Sequence, residues 1–231
     1  MKSGSACAII LAGGVGSRMK SEVTKQKMLI SGISILRRCV SAFDKCDDID
    51  EIIVVAREDE LDFAVNETEN LTKRVRVVAG GATRYESAVC GFRAVGDKIE
   101  YVAIHDAARP LITPEMICDV LRVAKEKGSA TAAAKVTDTV KVIDIEGKIV
   151  STPNRDALVR ATTPQIFRKD IYERAVNRYS GDANHITDDN MLVEMLGEPV
   201  YTVVSDVPNP KITTPEDIYY AELLIKGEEN V

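Results

Sequence analysis

Short apolar runs alternate with amphipathic stretches along the first half of this chain, and this alternation restricts the possible folds more than any other feature of the sequence. Each run has the length of a buried strand, and each precedes a segment with helical periodicity. The runs are Cys7–Leu11, Ile52–Ala56, Val75–Ala79 and Tyr101–Ile104. Repeated pairs of strand and helix predict an α/β fold with a Rossmann-like, doubly wound and mostly parallel sheet.

The pattern changes in the middle of the chain, where extended segments have no accompanying helix. Thr139–Ile143 and Ile149–Thr152 flank the polar turn Asp144–Lys148, which predicts a β-hairpin. We expect one domain over residues 1–231, from which this hairpin protrudes as a β-arm at about 137–153. Because an isolated hairpin is only marginally stable, we expect the arm to join two copies as a homodimer.

The later part of the chain predicts three helices and one strand. The helices are Lys169–Tyr179, Thr187–Leu196 and Pro215–Ile225, and the strand is Val200–Val204.

The composition excludes several classes of partner. Thirty Lys and Arg against thirty-six Asp and Glu give a formal net charge of −6, so no global positive field attracts nucleic acid. The apolar stretch Ala6–Ala12 is far shorter than the roughly 20 residues of a membrane span, and Met1–Ser5 lacks the features of a signal peptide. Five scattered cysteines without CxxC spacing indicate reduced thiols. We therefore expect a cytoplasmic protein without nucleic-acid or membrane partners.

A glycine-rich segment directly after the first strand predicts a nucleotide-binding loop. Ligands of open α/β sheets bind at the carboxyl ends of strands, where glycines let backbone N–H groups approach phosphate oxygens. Met19 occupies the third glycine position of a dinucleotide fingerprint, and the spacing does not match a Walker loop either. The alternative is a turn that merely links strand to helix. The candidate ligand-binding residues here are Gly13, Gly14, Gly16, Arg18 and Lys25.

A second cluster, His105–Pro110, follows the fourth apolar run and is expected at the same edge of the sheet. Asp106 is suited to hold the Mg²⁺ that accompanies a nucleoside triphosphate. The alternative is that Asp106 and Arg109 form an ordinary ion pair on a solvated loop. A lone histidine without a partner motif is usually structural, and we expect that role for His105.

A third cluster lies between the last predicted strand and the last helix. Asn209 offers an oxygen to Mg²⁺, and Lys211 offers a positive charge to a phosphate. The alternative is that Lys211 is one more exposed lysine, because most charged runs are solvated faces.

Taken in order, these segments resemble the 2-C-methyl-D-erythritol 4-phosphate cytidylyltransferases, a family of the sugar and polyol-phosphate nucleotidyltransferases. The resemblance runs from Ala8 to about Ile225. It is also carried by Gly80–Ser87, Thr137–Lys141, Asn154–Arg155, Thr162–Gln165 and Ile186–Asp189. It implies that the chain transfers a cytidylyl group from CTP to 2-C-methyl-D-erythritol 4-phosphate, with Mg²⁺, in non-mevalonate isoprenoid biosynthesis. The products are 4-diphosphocytidyl-2-C-methyl-D-erythritol and pyrophosphate.

The resemblance also implies roles for individual residues, each carried over from a matching position. The nucleotide lies against Ala12, Gly13, Gly14, Gly16, Gly81, Ala82, Ser87 and Ala107. The catalytic cations that grip the triphosphate are Arg18, Lys25 and Lys211, and the metal-side positions are Asp106 and Asn209. The polyol phosphate is surrounded by Asp106, Arg109, Thr139, Arg155 and Thr163, some of them contributed across a dimer by the arm.

The sequence departs from the family pattern at three positions. Thr24 stands where the family commonly has proline, Pro210 where it has isoleucine, and Ala82 where it has an acidic residue. The first two changes leave the neighbouring charges in place. Ala82 cannot accept a hydrogen bond from its side chain, so base selection is expected to depend on backbone groups and Ser87.

The expected chemistry is consistent with these residue types. A phosphate monoester has a second pKa of about 6, so its oxygen is already an anionic nucleophile at neutral pH and no general base is needed. The protein must instead stabilise charge on the α-phosphate and the leaving pyrophosphate, which is a task for lysine, arginine and Mg²⁺.

Three other functions are compatible with parts of the pattern. A ribitol-5-phosphate cytidylyltransferase shares the fold and CTP, but Ala108 and the segment Asp138–Lys141 resemble the methylerythritol enzymes more closely. A non-catalytic nucleotide-binding domain is possible because fold does not imply function, yet the charged residues are retained. A dehydrogenase is disfavoured by the missing third glycine.

Overall fold

The computed structural model describes residues 4–14 and 24–228, and within them a seven-stranded sheet forms the centre of the molecule. The strands are β1 (Ala6–Leu11), β2 (Leu29–Ile30), β3 (Ile33–Ser34), β4 (Glu51–Ala56), β5 (Arg74–Ala79), β6 (Tyr101–Asp106), β7 (Ser129–Lys135), β8 (Val142–Ile143), β9 (Ile149–Ser151), β10 (Val159–Arg168) and β11 (Tyr201–Val204). The large sheet has the order β11-β7-β10-β6-β1-β4-β5.

The sheet is mostly parallel, as the sequence predicts. β6, β1, β4 and β5 run parallel to one another, and β11 runs parallel to β7. Only β10, among the described strands of this sheet, is antiparallel, and it lies between β6 and β7. The sequence pattern predicts neither β7 nor β10 as a strand. β7 is rich in alanine and β10 contains Pro164, and both residue types are depleted in strands.

Helices cover both faces of the sheet, which confirms the doubly wound arrangement. They are α1 (Ile35–Lys45), α2 (Leu61–Glu67), α3 (Arg84–Arg93), α4 (Pro114–Lys127), α5 (Lys169–Arg178), α6 (Asp189–Leu196) and α7 (Pro215–Glu228). Along β1, Ala8 and Ile10 pack with α1 and α4 on one face, whereas Cys7 and Ile9 pack with α3, α5 and α6 on the other. The two-residue period of a strand thus divides the core into two layers.

The predicted hairpin is confirmed as the antiparallel pair β8 and β9, and it forms a sheet of its own. Its apolar side chains are exposed: Ile143 is 59% and Val150 is 63% accessible. Ile145, at the turn, is fully exposed. None of the helices in the described ranges combines the length and apolarity that a bilayer crossing requires.

Candidate active site

A cavity of about 260 Å³ opens at the carboxyl ends of β1 and β6, beside the loop that follows β5. This is the edge where the sequence places a ligand. The cavity is lined by Leu11, Gly13, Gly14, Lys25, Gln26, Gly81, Ala82, Thr83, Arg84, Ser87, Asp106, Ala108 and Lys211. The structure thus brings together eight of the predicted site residues, namely Gly13, Gly14, Gly81, Ala82, Ser87, Lys25, Asp106 and Lys211.

Two short backbone segments form one wall of the cavity. Ala12 donates its N–H to Val55 O at 2.7 Å, which ties the first glycine segment to the end of β4. Gln26, which is buried, donates Nε2 to Gly14 O at 3.2 Å. On the second segment, a Cβ at Gly81 would lie 2.3 Å from Cβ of Glu86, so only glycine fits there. The contacts of Ala12 and Gln26 hold Gly13 and Gly14, whose backbone lines the cavity.

Ser87 holds the second glycine segment against α3. Its hydroxyl donates to Thr83 O at 2.9 Å and accepts from the Gly81 N–H at 3.2 Å. Thr83 and Glu86 form a reciprocal capping box that fixes the start of α3. The loop over Gly80–Thr83 is therefore built around a hydroxyl oxygen that still has a lone pair for a ligand.

The charges in the cavity converge on Asp106, which ends β6. Lys211 donates Nζ to its Oδ2 at 2.7 Å, and Arg84 donates Nε to its Oδ1 at 3.0 Å. Burial by itself would raise the pKa of this carboxyl, but the two cations outweigh burial and hold the pKa of Asp106 far below its usual range. Asp106 is thus an anion, already compensated by the residues around it.

Arg84 and Asp189 are two site residues whose roles the sequence pattern does not predict. Arg84, the first residue of α3, also donates Nη1 to Asp189 Oδ2 at 2.6 Å, and Asp189 is fully buried. Burial opposes the charge of Arg84, but the carboxylates of Asp189 and Asp106 raise its pKa above the usual value. Both residues lie in segments that carry the family resemblance, and that was the only available signal.

His105 has the structural role that the sequence analysis expects. It is fully buried, and its ring lies 5.1 Å from that of Phe43. Nε2 lies 3.2 Å from Arg109 O and Nδ1 lies 3.0 Å from Thr163 Oγ1. Because the Arg109 carbonyl can only accept, Nε2 carries the ring proton, and Nδ1 accepts the hydroxyl hydrogen of Thr163, whose oxygen in turn accepts the Asp106 N–H at 3.1 Å. Burial lowers the pKa of His105 to about 4.

A second and larger cavity of about 720 Å³ adjoins the first, and Lys211 lines both. It contains the predicted residues Arg109 and Asn209, together with Lys135 and Arg160, which the sequence analysis does not single out. Arg109 donates Nη1 to Asn209 O at 3.0 Å. Burial lowers the pKa of Arg109, and the nearby positive charge of Arg160 adds to the effect. Lys135 is paired with Asp206, which lines the same cavity, at 3.3 Å, and the remaining cations are suited to an anionic ligand.

The metal-side residues fit a hard cation. Both amide atoms of Asn209 are shielded from solvent and have no hydrogen-bond partner among the described residues, so Oδ1 is available. Asp106 adds a carboxylate. The described residues contain no cluster of three or more His, Cys, Asp or Glu side chains arranged to hold a metal. Mg²⁺ bound to a nucleotide takes one or two protein oxygens and completes its shell with phosphates and water.

Several predicted residues lie outside the two cavities. Ala12, Ala107 and Thr163 are buried immediately behind the walls. Thr139 and Arg155 are exposed on the arm and its base, where Arg155 donates to Thr137 O at 2.9 Å, and within one copy neither lines the cavities described above. Gly16 and Arg18 lie outside the described residues.

Comparison with known proteins identifies the family of this chain. Residues 6–227 match the family model of 2-C-methyl-D-erythritol 4-phosphate cytidylyltransferase, IspD. The chain belongs to this family.

Its relatives support the assignment over nearly their full length. The cytidylyltransferase of this name from Clostridium perfringens strain SM101 is 40% identical over 225 residues, covering 96% of this chain and all of the relative. That of Geobacter metallireducens is also 40% identical, with 95% and 97% covered. The crystal structure of 4-diphosphocytidyl-2C-methyl-D-erythritol synthase from Anaerococcus prevotii superposes with a TM-score of 0.84 at 31% identity, with 96% of each chain covered. Membership in the family confirms the expected fold class and the expected enzyme class, a cytidylyltransferase.

Proposed function

We propose that this chain transfers the cytidylyl group of CTP to 2-C-methyl-D-erythritol 4-phosphate, with CTP in the smaller cavity and the polyol phosphate in the larger one. The observation that carries this arrangement is the position of Lys211, which lines both cavities and lies 2.7 Å from Asp106. A cation shared by two anion-binding cavities is placed to bring two negative substrates together. The whole chain then acts as one nucleotidyltransferase domain with a β-arm.

Base recognition depends on the backbone wall and on Ser87. Because the hydroxyl hydrogen of Ser87 is directed to Thr83 O, its oxygen faces a ligand as an acceptor, which suits the amino group of cytosine. Ala82 lines the same cavity and contributes shape without a hydrogen bond. Ala12, Gly13, Gly14, Gly16, Gly81 and Ala107 complete this part of the proposal through their backbones and their small size.

Catalysis is electrostatic in this proposal. The monoester oxygen attacks the α-phosphate without a general base, because it is already anionic. Lys25, Lys211 and Arg18 bind the triphosphate and stabilise the leaving pyrophosphate. Mg²⁺, held on the side of Asp106 and Asn209, supplies neutralisation of phosphate charge when bound.

The polyol phosphate is bound by residues of two copies. Arg109 and Lys211 belong to the larger cavity, and Thr163 accepts the N–H of Asp106, which lines the smaller one. Thr139 and Arg155 would come from the arm of a second copy. The exposed apolar residues of the arm support this homodimer, because they gain burial only through another surface.

We also propose that the enzyme works in the cytoplasm. All five cysteines are free thiols. Their number is odd, they are scattered along the chain and no pair has CxxC spacing. Such cysteines are typical of proteins of a reducing compartment.

The decisive experiment is a pyrophosphate-release assay with CTP and Mg²⁺ and with each polyol phosphate in turn. Release with 2-C-methyl-D-erythritol 4-phosphate, together with the diphosphocytidyl product by mass spectrometry, supports the proposal. Release only with ribitol 5-phosphate would reassign the substrate, and CTP binding without release would indicate a non-catalytic domain.

A further inference from the structure

The carboxylate of Asp106 is bound on each oxygen by a different cation, and the two cations are held differently. Arg84 binds Oδ1 at 3.0 Å through Nε, and its Nη1 is bound to Asp189 at 2.6 Å. Lys211 binds Oδ2 at 2.7 Å, and its side chain is 39% exposed beside both cavities. Arg84 is therefore fixed at two points of its guanidinium, whereas Lys211 reaches the carboxylate from the solvent side.

Asp189 connects this carboxylate to the core. Its Oδ1 accepts the hydroxyl of Tyr172 at 2.6 Å, and its N–H donates to Gln165 Oε1 at 2.8 Å. Tyr172 is itself fully buried and packs against Phe92 and Phe167. An ionised carboxylate in such surroundings depends on its partners, because a buried charge without compensation is very costly. Arg84 is thus anchored to packed side chains and not to a loop.

We propose that Asp189 and Arg84 are positioning residues for Asp106, an inference that rests on the cytidylyl transfer proposed above. Asp189 holds Arg84, and Arg84 holds one oxygen of Asp106. When Lys211 turns from Oδ2 to the charge that develops on the phosphates during the transfer, Arg84 continues to hold Oδ1. Asp106 then stays in place, with Oδ2 directed to the substrates, while the lysine changes partner.

A purely structural role for the same contacts gives a different expectation. The pair of Arg84 and Asp189 also joins the first turn of α3 to the first turn of α6. If it only joins the helices, its loss lowers the free energy of unfolding but leaves turnover per folded molecule unchanged. The experiment must therefore measure stability and turnover separately.

The first variant is Asp189→Asn, with Glu51→Gln as a matched control. Glu51 is a part-buried carboxylate that pairs with Arg76, and it lies at the amino end of β4, away from the cavities. For Asp189→Asn we expect kcat to fall by about 10- to 100-fold, as is typical when a supporting residue is lost. The Kd of CTP, measured by calorimetry without the polyol phosphate, should change by less than about threefold. Glu51→Gln should lose stability and keep its kcat.

A second variant pair shows whether the effect passes through Asp106. In an Asp106→Asn background, Asp189→Asn should lower kcat by less than about twofold further, because the group that it positions is already gone. Additive losses would overturn the proposal. If Asp189→Asn does not fold, Tyr172→Phe replaces it, since it removes only one hydrogen bond to Asp189 and should lower kcat with the same unchanged Kd.

Asp189→Asn, or Tyr172→Phe in its place, is compared directly with the control Glu51→Gln. If its turnover equals that of the control, these contacts only link the two helices and the positioning role is wrong. That outcome would leave the proposed function standing. Absence of cytidylyl transfer in both the wild type and Glu51→Gln would instead overturn the proposed function.

Discussion

Lys211 Nζ lies 2.7 Å from Asp106 Oδ2, at the boundary of the two cavities. The pair holds opposite charges together where two highly negative substrates are expected to meet. A lysine is a compact, flexible cation, so it is well suited to exchange a carboxylate for a phosphate. Removal of Lys211 would both weaken the binding of phosphate and leave Asp106 with one partner fewer.

The first prediction concerns the two lysines of the smaller cavity. Lys25→Ala and Lys211→Ala should each lower kcat/KM by on the order of 10²-fold or more, because each removes a preorganised charge from the triphosphate. Steady-state kinetics with CTP as the varied substrate measures this effect, and circular dichroism should show an unchanged fold. Arg122→Ala is the control, because its ion pairs lie on an exposed face of α4. Near-native turnover of either lysine variant would make that residue an ordinary surface lysine.

The second prediction concerns the arm. Ile149→Lys should convert a dimer into a monomer, because it places a charge on an apolar surface that we expect to be buried between copies. The KM for the polyol phosphate should rise, since Thr139 and Arg155 would no longer reach the other copy. Light scattering at micromolar concentration and kinetics on the same sample test both statements. Val65→Lys, at another exposed apolar position, on α2, should change neither the oligomeric state nor the KM. A fully active wild-type monomer would remove the arm from the site.

The third prediction concerns substrate choice. 2-C-methyl-D-erythritol 4-phosphate should be preferred over ribitol 5-phosphate, although we expect Arg109 and Arg155 to bind the phosphate of either molecule. Guanidinium groups recognise phosphate, and discrimination must come from the shape around the carbon chain. One methyl or hydroxyl is typically worth roughly 10- to 200-fold, and these substrates differ in branching and length, so the ratio of kcat/KM values should reach the upper part of that range. Equal values, or a preference for ribitol 5-phosphate, would reverse the assignment.

The fourth prediction concerns stability at acid pH. Burial lowers the pKa of His105 from 6.5 to about 4 in the folded protein, so the unfolded chain binds its proton first as the pH falls. The free energy of unfolding therefore does not depend on this group above about pH 6.5. Between pH 6.5 and pH 4 it falls by about 1.4 kcal/mol per pH unit as the pH is lowered. Urea unfolding of the metal-free protein at pH 7 and pH 5 should therefore differ by about 2 kcal/mol through this group.

The protein has only one other histidine, which provides the control. His105→Gln should reduce this pH dependence, whereas His185→Gln, at an exposed position, should retain it. The same slope in the wild type and in His105→Gln would show that carboxylates alone govern the acid transition.

The sequence predicts those parts of the fold in which local pattern and final structure agree. β1, β4, β5 and β6 are runs rich in apolar residues that the local pattern identifies without knowledge of their neighbours, although β5 lies at the edge of the sheet and is only partly buried. β7 is a strand because it lies between β10 and β11, and this position overrides the weak strand propensity of alanine. The position of β7 between two strands therefore determines its structure, which its composition does not predict.

The same distinction between local pattern and packing applies to the site residues. Glycines next to a strand, an aspartate at the end of a strand and a lysine before a helix are recognisable from spacing alone. The contact between Arg84 and Asp189 is not, because it joins residues 105 positions apart. Lys135 and Arg160 likewise enter the larger cavity only because β7 and β10 are neighbours. Pairings of this kind are set by the packing of elements and leave no periodic signal in the sequence.

The two glycines at the end of β5 have a consequence for inhibition. A Cβ at Gly80 would lie 2.8 Å from Ser87 Oγ, and one at Gly81 would lie 2.3 Å from Cβ of Glu86. Any larger residue would thus displace the first turn of α3, which carries Arg84. An inhibitor that presses against this stretch of main chain would meet a surface on which resistance substitutions have little room to arise, because a change that excludes the inhibitor also disturbs the enzyme's own site.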